Sequence, residues 1–243
     1  MKIHILLCDT FPGLLPADIP SYTSMFVDLF HRVDATIVFE EHRAFDGILP
    51  EVLSHDDLYL ITGCNSAAYD DTPWIVNLRR WIVLAYNEGV RMAGICFGHQ
   101  AIALALGGLV ERYAGGWGTG IRASDIIDTT LKAFFSRHAC AADNVQMHLL
   151  YNHHDQVMRL PEGAQPLATS AFCRYEGFRI GNRVVTFQGH PEYTPAYALH
   201  LLRHHAEGED PAVVQRAIES IHVMQHEGDN AARFILDTCT VKD

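Results

Sequence analysis

The stretch Gly94-Ile95-Cys96-Phe97-Gly98-His99-Gln100 stands between an apolar run that begins near Val90 and a helical pattern over residues 101–106. The run predicts a buried strand, and Gly107-Gly108 is expected to end the helix. Cys96 is therefore predicted at a strand-to-helix turn, where flanking glycines permit a sharp bend and expose the side chain. A helix N-terminus also favours the thiolate, which is the nucleophilic form of cysteine. The competing interpretation is a small buried hydrophobic residue, which most free cysteines are.

The sequence before this turn predicts an α/β fold. Apolar runs at residues 3–7, 36–39, 58–62 and 92–95 alternate with helical patterns. This alternation is typical of a mostly parallel central sheet flanked by helices on both faces. The clearest helix is expected to start at Pro73, after a capping residue, and to stop near Gly89.

The sequence after the turn predicts a small antiparallel addition and a helical C-terminal tail. Short strand-like segments occur at residues 147–151, 166–169, 172–175 and 184–187, with turns expected at Gly177 and at residues 181–182. Helices are expected at residues 195–205, 211–226 and 231–236. We interpret the chain as a single domain over residues 1–243, with a core at about 3–205 and extra C-terminal helices at about 211–243.

A second group of reactive side chains lies in the segment Phe187-Gln188-Gly189-His190-Pro191-Glu192. Pro191 favours an extended backbone at His190, and residues two apart in an extended segment project to the same side. His190 and Glu192 can therefore share one face, with the carboxylate orienting the imidazole. A cysteine nucleophile needs a base that is oriented in this way. The alternative is a loop histidine followed by a helix N-terminal acid.

Composition excludes several function classes. The chain has 243 residues and a formal net charge of -11, so a basic surface for nucleic acid is absent. The N-terminal apolar run is short and ends at Asp9, which fits a first strand better than a signal peptide or a membrane span. We therefore expect a cytoplasmic protein that binds neither nucleic acid nor membrane.

The cysteines and histidines do not indicate a metal site or a disulfide framework. The 6 cysteines, Cys8, Cys64, Cys96, Cys140, Cys173 and Cys239, are scattered without a Cys-x-x-Cys pair, so reduced thiols are expected. His200 and His204 stand one helical turn apart, but no third ligand joins them in a known motif. We expect no metal and no cofactor. His99, beside Cys96, is assigned to local structure.

The two segments together resemble the class I glutamine amidotransferase family, whose signatures are Gly-x-Cys-x-Gly-His-Gln and a later His-Pro-Glu. The resemblance implies that Cys96 is the nucleophile, His190 the base and Glu192 the triad acid. It is strongest toward stand-alone members similar to the glutaminase domain of GMP synthase or to γ-glutamyl peptidases.

The resemblance also implies roles for residues outside the triad. The backbone N–H groups of Gly63 and Phe97 would form the oxyanion hole. Gln100 and Cys64 would contact substrate, although Cys64 occupies a position that more often holds glycine or serine. An ordinary exposed helix residue is the alternative for Gln100. Two further matches, residues 116–120 and the pattern of His153, Asp155 and Val157, are interpreted as scaffold.

Three functions follow. The first is hydrolysis of the γ-amide of glutamine through a γ-glutamyl thioester on Cys96, with release of ammonia. The ammonia would either pass to a separate synthetase subunit or be released by a free-standing hydrolase. The second is a γ-glutamyl peptide hydrolase with the same triad. The third, from another class, is a non-catalytic or redox-sensing module in which Cys96 is oxidised.

Overall fold

The computed structural model describes residues 1–11, 13, 15–16, 18–138, 145–205 and 210–240. The strands in this part of the chain are β1 (Lys2–Leu7), β2 (Val38–Arg43), β3 (Leu58–Ile61), β4 (Arg91–Ile95), β5 (Leu109–Arg112), β6 (Gly118–Ile126), β7 (Gln146–His153), β8 (Asp155–Arg159), β9 (Gln165–Thr169), β10 (Gly177–Ile180) and β11 (Val184–Phe187). The helices are α1 (Tyr22–Val33), α2 (Pro73–Asn87), α3 (Phe97–Ala105), α4 (Thr129–His138), α5 (Pro195–His205), α6 (Pro211–Val223) and α7 (Gly228–Thr240).

The central sheet has nine strands in the order β2-β1-β3-β4-β11-β10-β9-β6-β7. The five strands from β2 to β11 are parallel to their neighbours. From β11 onward the pairs are antiparallel, so the antiparallel addition continues the same sheet. Strands β5 and β8 form a separate antiparallel pair. The predicted α/β fold class is therefore confirmed.

Helices cover both faces of the sheet. Apolar residues of β1 that point to one side, such as Ile5, share a core with α1, α4, α5, α6 and α7. Leu6 points to the other side and shares a second core with α2 and α3. This alternation follows from the period of two in a strand, which places neighbouring side chains on opposite faces. Both faces are buried because both sets of side chains are apolar.

The sequence predictions for single elements are partly confirmed. Helix α2 begins at Pro73 as expected, and the chain turns at Gly89, whose φ is +78°. The expected strand at residues 36–39 is shifted to Val38–Arg43. Helix α6 ends at Val223 instead of 226, and α7 extends beyond the predicted residues 231–236 to Gly228–Thr240.

The predicted strand at residues 172–175 was wrong, because this segment is an irregular turn. The hydroxyl of Ser170 accepts hydrogen bonds from the backbone N–H groups of Phe172 and Cys173, which draws the chain out of a strand conformation. The strand starts at Gly177, where a turn was expected. A Cβ at Gly177 would lie 2.5 Å from the carbonyl oxygen of Thr186 on β11, so only glycine fits at this close approach.

Candidate active site

Cys96 lies on the turn between β4 and α3 with φ +52°, a conformation that residues other than glycine rarely adopt. The turn is tight because two glycines allow close packing. A Cβ at Gly98 would lie 2.2 Å from the carbonyl oxygen of Ile61, and one at Gly94 would lie 2.6 Å from the backbone of Gly98. The backbone N–H of Cys96 donates to the carbonyl oxygen of Phe187 at 2.9 Å. The predicted strand-to-helix elbow is therefore present.

His190 and Glu192 follow β11 and form a buried pair. The Nδ1–H of His190 donates to Oε1 of Glu192 at 2.7 Å. The backbone N–H of His190 donates to the carbonyl oxygen of Leu150 at 2.7 Å, which fixes the segment against β7. The ring of Tyr193 stacks on the imidazole at 3.9 Å between centroids. The phenol of Tyr22 donates a second hydrogen bond to Oε1 of Glu192, also at 2.7 Å.

Parallel pairing of β4 and β11 brings these two segments together. Ile95 is the register partner of Phe187, so the segments after β4 and β11 leave the sheet at the same end. Gly63, which follows β3, lies beside them, since a Cβ at this position would be 3.0 Å from Cε1 of His190. Carboxyl ends of neighbouring parallel strands are the usual location of ligand sites in such sheets.

The imidazole of His190 experiences strong and opposing electrostatic influences. Burial lowers its pKa, but the carboxylate of Glu192 and the sulfur of Cys96 raise it, and the net shift is upward. Nε2 of His190 is buried and has no hydrogen-bond partner among the described residues. In apo structures, contacts of this type are often longer than they become with substrate bound.

His99 lies apart from this pair. Its side chain is fully buried, and Nδ1 forms a hydrogen bond with Oγ1 of Thr186 at 2.8 Å. Burial lowers the pKa of His99 to about 3, so the ring is neutral near pH 7. These contacts agree with its assignment to local structure.

Gln100 is buried, so the interpretation as an exposed helix residue was wrong. Its Nε2 donates to the carbonyl oxygen of Asp155 at 2.8 Å and to Oε1 of Gln188 at 3.1 Å. Nε2 of Gln188 in turn donates to Sγ of Cys96 at 3.6 Å. Gln188 was not predicted as a site residue, although it precedes His190 by two positions in the same extended segment.

A cavity of about 240 Å³ opens over the sulfur. It is lined by Cys64, Asn65, Ser66, Ala67, Tyr69, Cys96, Gln100, Arg112, Trp117, Asn152, His153, His154 and Asp155. Trp117, His153 and Asp155 were interpreted as scaffold, but they contribute to this wall. Trp117 precedes β6 and His153 ends β7, and these two strands pair with each other, whereas Asp155 begins β8, which pairs with β5 in the separate sheet. The cavity thus has aromatic rings, a cation, a carboxylate and side-chain amides around the thiols of Cys64 and Cys96.

Cys64 lies in the wall of this cavity, where the sequence predicted a substrate contact. Its sulfur accepts a hydrogen bond from the backbone N–H of Ser66 at 3.3 Å and approaches Oδ2 of Asp9 at 3.9 Å. Burial is the main cause that raises the pKa of Cys64 to about 12. Cys64 is therefore a neutral thiol near pH 7, and a poor nucleophile.

The described cysteines Cys8, Cys64, Cys96, Cys173 and Cys239 are free thiols, in agreement with the expectation of reduced cysteines. Cys140 and the side chain of His204 lie outside the described residues. In the part of the chain that the structure describes, no helix combines the length and apolar character needed to span a bilayer.

A mostly parallel α/β sheet that presents a cysteine elbow beside a buried histidine–carboxylate pair is typical of cysteine-dependent hydrolases and amidotransferases. Comparison with known proteins agrees with this class. The sequence profile of the family described as glutamine amidotransferase class-I matches residues 21–206. The chain therefore belongs to the class I glutamine amidotransferase family, and it is an enzyme of the cysteine-dependent type.

Individual relatives differ in their named activities. The chain is 32% identical over 176 residues to γ-glutamyl peptidase 3 of Arabidopsis thaliana, which covers 71% of this chain and 69% of the relative. It is 37% identical over 106 residues to a subunit of the glutamine-hydrolysing GMP synthase of Saccharolobus solfataricus, which covers 42% and 51%. The crystal structure of a glutamine amidotransferase from Thermotoga maritima superposes with a TM-score of 0.76 at 18% identity, covering 99% and 98% of the two chains.

Proposed function

We propose that this enzyme hydrolyses the γ-glutamyl C–N bond of a small γ-glutamyl compound through a thioester on Cys96. The observation that carries the proposal is the buried His190–Glu192 pair, which lies at the same sheet edge as the cysteine elbow. A sensor thiol has no need of an imidazole that is oriented by a carboxylate. A nucleophile that must receive and return protons does need one.

In the first half of the reaction, the Cys96 thiolate attacks the γ-carbonyl carbon and forms a C–S bond. The carbonyl π electrons move onto oxygen, and the backbone N–H groups of Gly63 and Phe97 stabilise this oxyanion. Phe97 is the first residue of α3, so its N–H is one of the helix-terminal donors without an intrahelical acceptor. His190 then gives its proton to the leaving nitrogen as the C–N bond breaks.

In the second half, water attacks the thioester carbon while neutral His190 takes its proton. The C–S bond breaks, Cys96 leaves as the thiolate, and glutamate is released. The raised pKa of His190 supports this cycle, because an imidazolium beside a thiolate is the state required before attack. Glu192 keeps Nδ1 protonated, so that Nε2 faces the reaction.

A γ-glutamyl peptide is the better supported substrate. The relative with that named activity matches 71% of the chain, whereas the GMP synthase relative matches 42%. Glutamine is the second candidate, because the GMP synthase relative is named for its hydrolysis. In that case a separate synthetase subunit would be the consumer of ammonia. Gln100 and Cys64 are proposed to contact the γ-glutamyl group, since both lie in the wall of the cavity over Cys96.

The test is incubation of purified protein with glutamine and with γ-glutamyl dipeptides, followed by quantification of glutamate. Release from the dipeptides at a higher kcat/KM than from glutamine supports the peptidase. The opposite order supports the glutaminase. Addition of hydroxylamine should divert product to γ-glutamyl hydroxamate, because this nucleophile intercepts a thioester.

Cys96→Ala should abolish turnover, and His190→Ala should lower it by about 10²–10⁴-fold, because each removes one half of the nucleophile–base pair. Cys239→Ala, a buried thiol on α7, is the matched control and should retain activity. Circular dichroism should show that all three variants are folded. Glutamate from neither substrate class, with no acylation of Cys96, would instead favour the redox-sensing module.

A further inference from the structure

A second group of ligand-type side chains lies away from the elbow, on the edge of the sheet formed by β1 and β2. His4 is the register partner of Glu40, and Leu6 is the partner of His42. Since partners in parallel strands point to the same face and alternate residues share it, His4, Glu40 and His42 project together. One donor atom from each residue lies within 4.8 Å of the other two.

We propose that His4, Glu40 and His42 form a binding site for a divalent transition-metal ion. Two imidazoles and one carboxylate are a ligand set that zinc uses with a water in the fourth position. Because the site would join the edge strand β2 to β1, the bound ion would also stabilise this edge.

Distances between the donor atoms suit a single ion. Nδ1 of His4 lies 3.0 Å from Nε2 of His42 and 3.8 Å from Oε2 of Glu40. Nε2 of His42 lies 3.6 Å from Oε1 of Glu40. Ligands about 2.0–2.1 Å from a tetrahedral ion stand about 3.3 Å from one another. The three side chains therefore need only small adjustments to surround an ion.

The surroundings of His4 add a second, independent feature. Its other ring nitrogen, Nε2, lies 3.5 Å from Oδ2 of Asp57. Histidine ligands commonly direct the nitrogen that does not bind the metal toward a carboxylate, which fixes the tautomer and the ring orientation. The ring of His4 also stacks on Tyr59 at 4.7 Å, so its direction is set before any ion binds.

Access to the cluster is through Glu40. The side chains of His4 and His42 are 9% and 13% exposed, whereas that of Glu40 is 46% exposed. Lys2 pairs with Glu40 at 2.7 Å, but an exposed ion pair of this kind contributes little and can be exchanged for a metal. The two histidine donors are thus held in place on the buried side of the cluster, and an ion can enter from solvent on the side of Glu40.

The test uses tag-free, full-length protein carrying Cys96→Ala, because the Cys96–His190 pair could itself bind zinc. Titration with Zn²⁺ by calorimetry should give one ion per chain. With Co²⁺, visible d–d bands should appear without sulfur-to-metal charge transfer. X-ray absorption should show nitrogen and oxygen at about 2.0–2.1 Å and no sulfur at about 2.3 Å.

Glu40→Gln and His42→Gln, each made in this background, should weaken binding by more than tenfold, because each removes a ligand on the edge strand. Asp57→Asn should weaken it by about 10–100-fold, as is typical when the partner of a ligating histidine is lost. His222→Gln, on the exposed side of α6, is the matched control and should bind normally. The unloaded variants should first show native circular dichroism. The proposal would then be overturned if the protein binds no zinc, if sulfur ligates the metal, or if Glu40→Gln and His42→Gln leave the affinity unchanged.

Discussion

Gln188 connects Cys96, the proposed nucleophile, to the helix that follows it. Its amide donates to Sγ of Cys96 and accepts from Gln100, so its orientation is fixed by a second side chain. A hydrogen bond to sulfur is more favourable when the sulfur is charged. Gln188 is therefore expected to stabilise the thiolate form of Cys96, in addition to the effect of His190.

Gln188→Leu should lower kcat/KM and the rate of Cys96 alkylation by iodoacetamide at pH 7, each by about tenfold or more. The basis is the loss of one hydrogen bond to a charged group, worth about 1.5–3 kcal/mol. The matched control is Gln156→Leu. Gln156 is also buried, but it donates to the carbonyl oxygen of Phe172 and not to the sulfur. Equal losses in both variants would mean that Gln188 acts only on stability.

At this scale the sequence predicted the members of the proposed triad, which lie in continuous motifs, and the structure places them at one end of the sheet. Cys96, His190 and Glu192 are detectable because the turn and the proline restrict their backbone locally. Tyr22, which donates to Glu192, was not predicted, because the two residues are 170 positions apart. The proposed metal ligands His4, Glu40 and His42 were not predicted for the same reason, since only the register of β1 and β2 brings them together.

Helix α3 is pressed against β3 at Gly98, and this contact determines how closely Cys96 approaches the Gly63 loop. A Cβ at Gly98 would lie 2.2 Å from a backbone oxygen of Ile61, and backbone atoms have little freedom to move away.

Gly98→Ala should destabilise the protein by about 3 kcal/mol or more and should also reduce activity, because α3 must shift away from the sheet. Urea denaturation together with kcat/KM measures both effects. Gly163→Ala provides the control. Nothing lies within 4 Å of a Cβ there, and φ is +77°, so the cost should be limited to about 1–2 kcal/mol of backbone strain without loss of kcat/KM. Full activity in Gly98→Ala would contradict the proposed role of this contact.

Helix α7 belongs to the core and not to a free tail. The ring of Phe234 contacts Phe134 on α4 at 5.7 Å and Phe187 on β11 at 6.5 Å between centroids. Phe187 also accepts the hydrogen bond from the backbone of Cys96. The C-terminal helix therefore supports the strand that carries the site.

Phe234→Ala should lower the free energy of unfolding by about 3–5 kcal/mol, the usual cost of removing a buried aromatic ring. Val223→Ala, where the side chain is 81% exposed, should change it by less than about 0.5 kcal/mol. Urea denaturation of both variants at pH 7 is the measurement. Similar stabilities for the two variants would show that α7 does not contribute to the cooperative core.

Sequence patterns predicted the elements with strong apolar periodicity, such as β1, β4, β11 and α2. They did not predict β6, whose sequence alternates glycine and polar residues with few apolar ones. This strand is specified by its neighbours β7 and β9, and α6 packs on it through a hydrogen bond from Ile121 N–H to the hydroxyl of Ser220. Such long-range pairing leaves little local signal.

Across the whole molecule, buried titratable groups make stability depend on pH. Burial lowers the pKa of His99 and of His153 to about 3, so the unfolded chain binds two protons that the folded protein does not bind between pH 6.5 and 3. Burial raises the pKa of Glu176 to about 7, so the folded protein keeps one proton that the unfolded chain loses above about pH 4.5. As the pH falls from 6.5 to 4.5, the two histidines therefore lower the free energy of unfolding, whereas Glu176 raises it.

The free energy of unfolding should therefore fall by about 1.4 kcal/mol per pH unit from pH 6.5 to 4.5, through these three groups. Below pH 4.5 Glu176 is protonated in both the folded and the unfolded chain, so only the two histidines contribute. The slope of the free energy of unfolding against pH should therefore double. Urea denaturation at a series of pH values measures it. Glu176→Gln should remove the opposing proton and make the slope between pH 6.5 and 4.5 steeper. A curve that is flat from pH 6.5 to 4 would contradict the prediction.

The adjacency of β4 and β11 has a consequence for biosynthesis. The ribosome completes the elbow long before it makes His190, the proposed base, because Cys96 precedes His190 by about two fifths of the 243 residues. A nascent chain that ends before residue 184 thus carries the thiol without its imidazole. If the proposed triad is correct, catalytic competence should emerge only after translation has passed Glu192.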